Sequence, residues 1–88
     1  MRYVAGTNMP GYLPDSEPVE FETFAEAKAY IVAEILRNAE YAETEEQAAK
    51  LEAFAKDVEA QTSQFSGICL DRVYWVHALE IFRKMRFA

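Results

Sequence analysis

Few residues in this 88-residue chain could carry out acid–base, nucleophilic or metal chemistry. His77 is the single histidine, and no serine, cysteine or carboxylate stands at a spacing that indicates a catalytic pair with it. Cys69 is the single cysteine, so neither an intrachain disulfide nor a cysteine-based zinc site can form. We therefore expect a protein that is not an enzyme and that uses no cofactor.

Carboxylates are numerous, but their spacing indicates solvated helix faces rather than a catalytic pair such as that of a glycosidase. Glu40, Glu43 and Glu46 could gather a hard cation only weakly, so we expect no metal site.

The formal net charge of −6 is unevenly distributed along the chain. Residues 15–59 hold thirteen acidic and four basic side chains, a net charge of −9, whereas residues 71–88 hold two acidic and four basic ones, a net charge of +2. Such a field repels nucleic acid and attracts basic surfaces. We expect a protein partner with a basic surface and no direct contact with nucleic acid.

Residues 6–18, GTNMPGYLPDSEP, contain all three prolines and two of the three glycines. Pro10 and Gly11 fit the central positions of a type II turn. A phosphate-binding loop would bring a lysine and a helix directly after its glycines, and neither follows here. We expect a stiff connection that follows a short strand, RYVA, at residues 2–5.

Two helices follow this connection. Thr23 with Glu26, and Thr44 with Gln47, each form a capping-box pattern. Apolar residues then recur at helical spacing: Phe24, Ala27, Ile31, Ile35, Ala39 and Ala42, widened by Val32 and Leu36, in the first helix; Ala48, Leu51, Phe54, Ala55 and Val58 in the second. The short linker between the helices predicts an antiparallel helix hairpin.

The C-terminal part is harder to classify from its pattern. Gln61–Gly67 is typical of a loop, and residues 72–79 are rich in β-branched and aromatic residues, which favours a strand paired antiparallel to RYVA. The tail contains Ile81, Phe82, Met85 and Phe87, too many large apolar side chains for a free end.

The predicted fold is a single α+β domain of β-α-α-β order, in which a two-stranded antiparallel sheet packs on the helix hairpin. Because a two-stranded sheet is marginal by itself, we expect a homodimer or a firm complex with another protein.

One face of the first helix is a candidate contact surface. Tyr30, Glu34, Arg37 and Tyr41 follow one another at spacings of four, three and four, and tyrosine and arginine are common in binding hot spots. The alternative is that both rings pack on neighbouring parts of the same chain.

The junction between the helices carries Glu40, Glu43, Glu45 and Glu46 without a basic residue among them. Glu45 and Glu46 suit the first turn of the second helix, whereas Glu40 and Glu43 lie at the C-terminal end of the first, where the helix dipole disfavours acids. This corner is either merely solvated or a decoy for a nucleic-acid groove.

No apolar run approaches the ~18 to 20 residues that span a bilayer, and the N-terminus lacks the apolar centre of a signal peptide. We expect no membrane contact and a cytoplasmic location.

The pattern YVAGTNMPGYLPDSEP, a helix opening with FETFAEAKAY, the acidic hairpin and a late VYWV strand together resemble small uncharacterised bacteriophage-encoded proteins. No activity comes with that family, but the phage origin that the resemblance implies favours a small accessory protein that inhibits a host or defence complex, in the manner of an anti-CRISPR protein, in the cytoplasm of a bacterial host. The alternative is a structural or assembly accessory that docks through its apolar tail.

Overall fold

The computed structural model describes residues 2–8 and 18–86, with side chains as far as residue 84. Its elements are β1 (Tyr3–Asn8), β2 (Val19–Phe21), α1 (Phe24–Glu40), α2 (Glu45–Glu59), β3 (Phe65–Cys69), β4 (Arg72–Ala78) and α3 (Leu79–Arg86). The hairpin of α1 and α2 covers one face of the sheet, and α3 packs on the other. The chain is thus an α+β fold of three layers.

The described strands form a four-stranded antiparallel sheet in the order β2-β1-β4-β3. The predicted pairing of the N-terminal and late strands is confirmed, with Tyr3 opposite Ala78 and Asn8 opposite Val73. The predicted two-stranded sheet and β-α-α-β order were wrong, because β2 and β3 flank that central pair.

The two missed strands have weak sequence signals. Strand β2 is three residues long, too short to show alternation. Strand β3 begins inside the segment predicted as a loop, and only Phe65, Gly67 and Cys69 of its five residues are partly covered. Backbone pairing with β4, rather than side-chain pattern, makes this segment a strand.

The predicted helix starts are confirmed by their cap geometry. The Thr23 hydroxyl accepts from the Glu26 amide at 3.1 Å, and a Glu26 carboxylate oxygen accepts from the Thr23 amide at 3.2 Å, so this capping box is complete. At α2, the Thr44 hydroxyl accepts from the Gln47 amide at 3.1 Å, but the Gln47 side chain accepts from the amide of Glu43 instead of Thr44. The second capping box is therefore only half formed.

The main core lies between the helix hairpin and the sheet. Its buried side chains are Ala5, Ala27, Ile31, Ile35, Ala39, Leu51, Ala55, Val58, Tyr74 and Val76. At the open end of the helix hairpin, where α1 begins and α2 ends, the Lys28 ammonium donates hydrogen bonds to the backbone carbonyl oxygens of Glu59 and Gln61. Leu36, predicted to widen the apolar stripe of α1, is exposed because it lies about 100° around the helix from the buried Ile35.

The outer face of the sheet is organised around Trp75. Its ring stacks on Phe82 of α3 at a centroid distance of 5.3 Å and on His77 at 5.4 Å, and its Nε1 donates to Asn8 Oδ1 at 2.9 Å. The expectation that the tail is not a free end is confirmed for Phe82. The strand ends at Ala78, and the tail from Leu79 continues as a helix.

Part of the proline-rich connection belongs to the sheet. Gly6, Thr7 and Asn8 extend β1, and the ring of Trp75 covers Gly6. The Pro10–Gly11 turn lies outside the described residues. Within the part of the chain that the structure describes, no helix is long and apolar enough to cross a membrane.

The turn from β3 to β4 contains an unusual backbone conformation. Cys69 pairs with Arg72, so Leu70 and Asp71 form a two-residue hairpin loop, and Leu70 has a φ of 58°. A positive φ at the first central position is the place of glycine in a type II′ turn, whereas a bulky side chain there is strained. Leucine is therefore held at this tip against its backbone preference.

We expect Leu70→Gly to be more stable than Leu70→Ala by about 1 kcal/mol, because both remove the side chain and only glycine relieves the positive φ. At an ordinary position alanine would be the more stable of the two by a similar amount. Urea unfolding of the two variants measures the difference. A more stable alanine variant would show that Leu70 is not strained.

Candidate interaction surface

An open groove of about 860 Å³ lies where the α1–α2 junction faces the β3–β4 turn. Thr7, Glu34, Arg37, Asn38, Tyr41, Ala42, Glu43, Gln47, Leu51, Cys69, Leu70, Asp71, Arg72 and Tyr74 line it. The groove exists because α1 ends and α2 begins above the end of the sheet where β3 turns into β4. We call this groove, together with Glu40, Glu45 and Glu46 beside it, the junction surface.

The groove brings together four of the eight predicted contact residues: Glu34, Arg37, Tyr41 and Glu43. Tyr30 is not among them, because its ring packs on Phe21 at a centroid distance of 5.3 Å, near the opposite edge of the sheet. The predicted row along α1 therefore divides. Its first tyrosine packs within the fold, as the alternative interpretation held, and its last tyrosine faces solvent.

Tyr41 is the most exposed large hydrophobic side chain of the junction surface. It caps the C-terminus of α1, its backbone N–H donates to the carbonyl of Ala39, and 78% of its surface is accessible. A tyrosine exposed to this extent contributes little to its own fold. It presents a rigid ring at the rim of the groove.

The junction surface carries excess negative charge. The Arg37 guanidinium pairs with the Glu34 carboxylate, and Lys50 lies 3.7 Å from Glu46. Glu40, Glu43 and Glu45 are exposed and have no ion-pair partner among the described residues. Glu40 is the last residue of α1, so its charge opposes the helix dipole as predicted. The same prediction was wrong for Glu43, because α1 has already ended there and Glu43 directly precedes Thr44, the N-cap of α2.

The wall of the groove formed by the sheet is polar, and its side chains form two hydrogen bonds. Asn38 Nδ2 donates to the Tyr74 hydroxyl at 2.6 Å, and Arg72 Nη1 donates to the Thr7 hydroxyl at 3.1 Å. Burial raises the pKa of Tyr74, an effect that the hydrogen bond from Asn38 only partly offsets, so the phenol is neutral at physiological pH. These hydrogen bonds hold the Tyr74 and Arg72 side chains in place within the fold.

Cys69 is not an activated thiol. Burial raises its pKa, and the nearby Lys50 ammonium lowers it only in part, so the thiol form dominates at neutral pH. Its Sγ lies 3.8 Å from the backbone carbonyl oxygen of Lys50. Cys69 thus joins β3 to α2 by packing.

Sequence reasoning missed the residues that complete the groove. Asn38 and Tyr74 are 36 positions apart, and Arg72 and Thr7 are 65 positions apart, so no local pattern could pair them. Leu70 gave no signal because leucine is not typical of a turn. The position of the hairpin tip becomes clear only from the strand pairing, in which Cys69 lies opposite Arg72 and leaves two residues between them.

His77 lies on the outer face of the sheet, away from the groove. Burial lowers its pKa, so the ring is neutral at physiological pH. Within residues 2–8 and 18–86, no cluster of three histidine, cysteine or acidic side chains could hold a metal ion.

Comparison of the chain with protein-family models, with curated proteins and with solved structures gave no match.

Proposed function

We propose that this protein is a small acidic accessory protein that binds a basic protein surface through the junction surface. The observation that carries the proposal is the exposure of Tyr41, a ring with 78% of its surface accessible among carboxylates that have no basic partner within the described fold. Tyrosine is enriched in protein-binding surfaces, whose rims are polar.

The charge of the junction surface selects the class of partner. A basic surface is attracted electrostatically to Glu40, Glu43 and Glu45, which repel one another in the free protein. Basic surfaces are common on proteins that bind nucleic acid, because they neutralise phosphates. The partner is thus a host nucleic-acid-binding complex, and occupation of its groove would inhibit it.

The resemblance to phage proteins supplies the biological setting. A phage gains from blocking a host or defence complex, and a compact acidic protein can do so without enzymatic activity. In this proposal the protein acts in the cytoplasm of the bacterial host as an inhibitor of the anti-CRISPR kind. The strained Leu70 at the rim supports the proposal, because backbone strain is concentrated at functional sites.

The alternative proposal is an assembly accessory of the phage that docks through the apolar tail. Ile81, exposed on α3, is the observation that favours it. Phe82 stacks on Trp75 and is therefore committed to the fold, which leaves less apolar surface for docking. We regard this function as the second candidate.

The decisive variant is the double reversal Glu40→Lys, Glu43→Lys. It should leave the fold intact, because a cation at position 40 suits the C-terminus of α1, whereas a cation at position 43, next to the N-terminus of α2, is disfavoured by a similarly small amount. Affinity for the partner should fall about tenfold for each carboxylate that meets a basic side chain. The measurement is affinity capture from a host lysate with the wild-type protein, followed by titration of the captured partner at low and high salt.

The matched control is Glu52→Lys, Glu59→Lys. Both residues are exposed on α2, neither lines the groove, and the variant has the same net charge as the double reversal. If both variants bind equally well at low salt, the junction surface is not the binding site. Tyr41→Ala should raise the dissociation rate with little change in the association rate, because an anchor ring acts after encounter.

A further inference from the structure

Strand β3 forms an open edge of the sheet that the described residues build. The Leu79 amide donates to the Arg2 carbonyl on the β1 side of β4, and the Ala78 amide, on the β3 side, donates to the Gln64 side chain at 2.7 Å. Hydrogen bonding alternates along an antiparallel strand, so Arg72, Tyr74 and Val76 bond to β3. Their partners Cys69, Gly67 and Phe65 use their amides in this pairing.

The remaining backbone groups of β3 therefore point away from the sheet. These are the N–H and C=O groups of Ser66 and Ile68, and both residues are exposed. Ile68 also presents an apolar side chain with 62% of its surface accessible. An edge of this kind is a template for another strand.

The two edges of the sheet differ in their protection. The β2 edge is three residues long, follows Pro18 and carries Glu20, which lies 3.7 Å from Arg2. Short length, proline and charge are the usual devices that prevent edge pairing. The β3 edge is longer, at five residues, and residues 61–70 contain no charged residue and no proline.

We infer that two copies of this chain pair through β3 about a two-fold axis at Gly67. In that register Ser66 lies opposite Ile68 of the partner subunit, and Ile68 lies opposite Ser66 of the partner subunit. The outward N–H and C=O groups of each residue then meet their counterparts as hydrogen-bonded pairs. The result is one continuous eight-stranded antiparallel sheet.

Helix α2 is complementary to itself about the same axis. It runs antiparallel to β3, since Lys50 lies at the Cys69 end and Phe54 lies over Gly67, where an added Cβ would be 3.0 Å from its ring. Asp57 is three residues, about 4.5 Å, beyond Phe54 and so lies toward the Phe65 end. The axis therefore brings Lys50 beside Asp57 of the partner subunit, and Asp57 beside Lys50 of the partner subunit.

The exposure and the charges of Lys50 and Asp57 are suited to a contact between the two α2 helices. Lys50 and Asp57 are exposed on one stripe of α2, two turns apart, whereas Leu51 and Val58, each one position further on, are buried. The side chain between them on this stripe is Ala53, which is exposed and small enough for two helices to approach. Because the chain has a net charge of −6, most of its surface repels a second copy. The β3 edge is uncharged, and the neighbouring stripe of α2 carries one positive side chain, Lys50, and one negative side chain, Asp57.

The two-fold axis is normal to the sheet, so both helix hairpins lie on the same face of the dimer. Each dimer then presents two junction surfaces toward one side. The dimer does not depend on the proposed function, because its contacts are Ser66, Ile68, Lys50 and Asp57, and none of these lines the groove.

Sedimentation equilibrium of three proteins tests this interface: wild type, Asp57→Lys, and the swap Lys50→Asp, Asp57→Lys. Wild type should dimerise, and Asp57→Lys should weaken dimerisation about tenfold or more, because two attractive pairs become repulsive. The swap restores opposite charges across the axis at the wild-type net charge, so it should return the dissociation constant to within a few-fold of wild type.

Hydrogen exchange supplies an independent readout. The amides of Ser66 and Ile68 should exchange slowly in the wild-type dimer and rapidly in the Asp57→Lys monomer, while the Gly67 amide stays protected in both. A wild-type protein that remains monomeric from micromolar to submillimolar concentration overturns the inference. A dimer that Asp57→Lys does not weaken, or that the swap does not restore, also overturns it, because such a dimer uses another surface.

Discussion

Replacement of Gly6 by alanine should lower the free energy of unfolding by about 2 to 3 kcal/mol. The added Cβ would lie 2.5 Å from Trp75 Cζ2 and 3.0 Å from Cε2 and Cη2 of the same ring. The indole cannot move away easily, because it donates a hydrogen bond to Asn8 and stacks on both His77 and Phe82. Gly6 has no positive φ, so the effect is steric.

Gly67→Ala is the matched control for this prediction. Its Cβ would meet the end of the Phe54 ring at 3.0 and 3.1 Å, which a small shift of one side chain can relieve. We expect a loss smaller than that at Gly6. Urea unfolding monitored by circular dichroism measures both variants, and equal losses would contradict the close packing of Trp75 on Gly6.

Replacement of Trp75 by alanine should have the largest effect, a loss of about 3 to 5 kcal/mol. The ring is buried and joins strand β1, through Asn8 and Gly6, to helix α3, through Phe82. Its removal leaves a cavity on the outer face of the sheet and separates α3 from the fold. For a small domain this loss is most of the stability.

Trp75→Phe keeps the domain measurable if the alanine variant does not fold. The smaller ring retains stacking on Phe82 but loses the hydrogen bond to Asn8, so we expect a loss of about 1 to 2 kcal/mol. The α3 helix should remain protected from hydrogen exchange in this variant and lose protection in Trp75→Ala. Full α3 protection in Trp75→Ala would show that other contacts hold the helix.

Both predictions concern the outer face of the sheet, the face opposite the helix hairpin. The side chains of the junction surface are on the hairpin, on the β3–β4 turn and on the inner face of the sheet. Conservative changes at Gly6 and Trp75 should therefore alter stability without changing partner affinity in the fraction that remains folded. This separation allows stability and binding to be tested independently.

The prediction that a marginal two-stranded sheet drives self-association was wrong. A two-stranded sheet would have needed a partner, but the chain builds four strands covered by helices on both faces. The inferred dimer rests instead on an unprotected edge and on paired charges across an axis. Neither feature can be recognised before the strand order is known.

The elements that depend on neighbouring residues could be predicted from the amino-acid pattern. Thr23 and Glu26 are three positions apart, so the first cap could be predicted from its pattern. The row of Ala27, Ile31, Ile35 and Ala39 fixed the buried face of α1 by its helical spacing. Strong β propensity around Trp75 identified β4, and one late strand could pair most simply with the first.

The elements and contacts that depend on distant residues could not be predicted from local patterns and became visible in the folded chain. Strand β3 forms because its backbone pairs with β4, and α3 packs on the sheet through the stacking of Phe82 on Trp75. The groove joins Asn38 to Tyr74 across 36 positions, and it separates Tyr30 from Tyr41, which the helical row had placed together. The physical reason is that local propensities differ by about 1 kcal/mol or less per residue, so burial and pairing with distant residues override them.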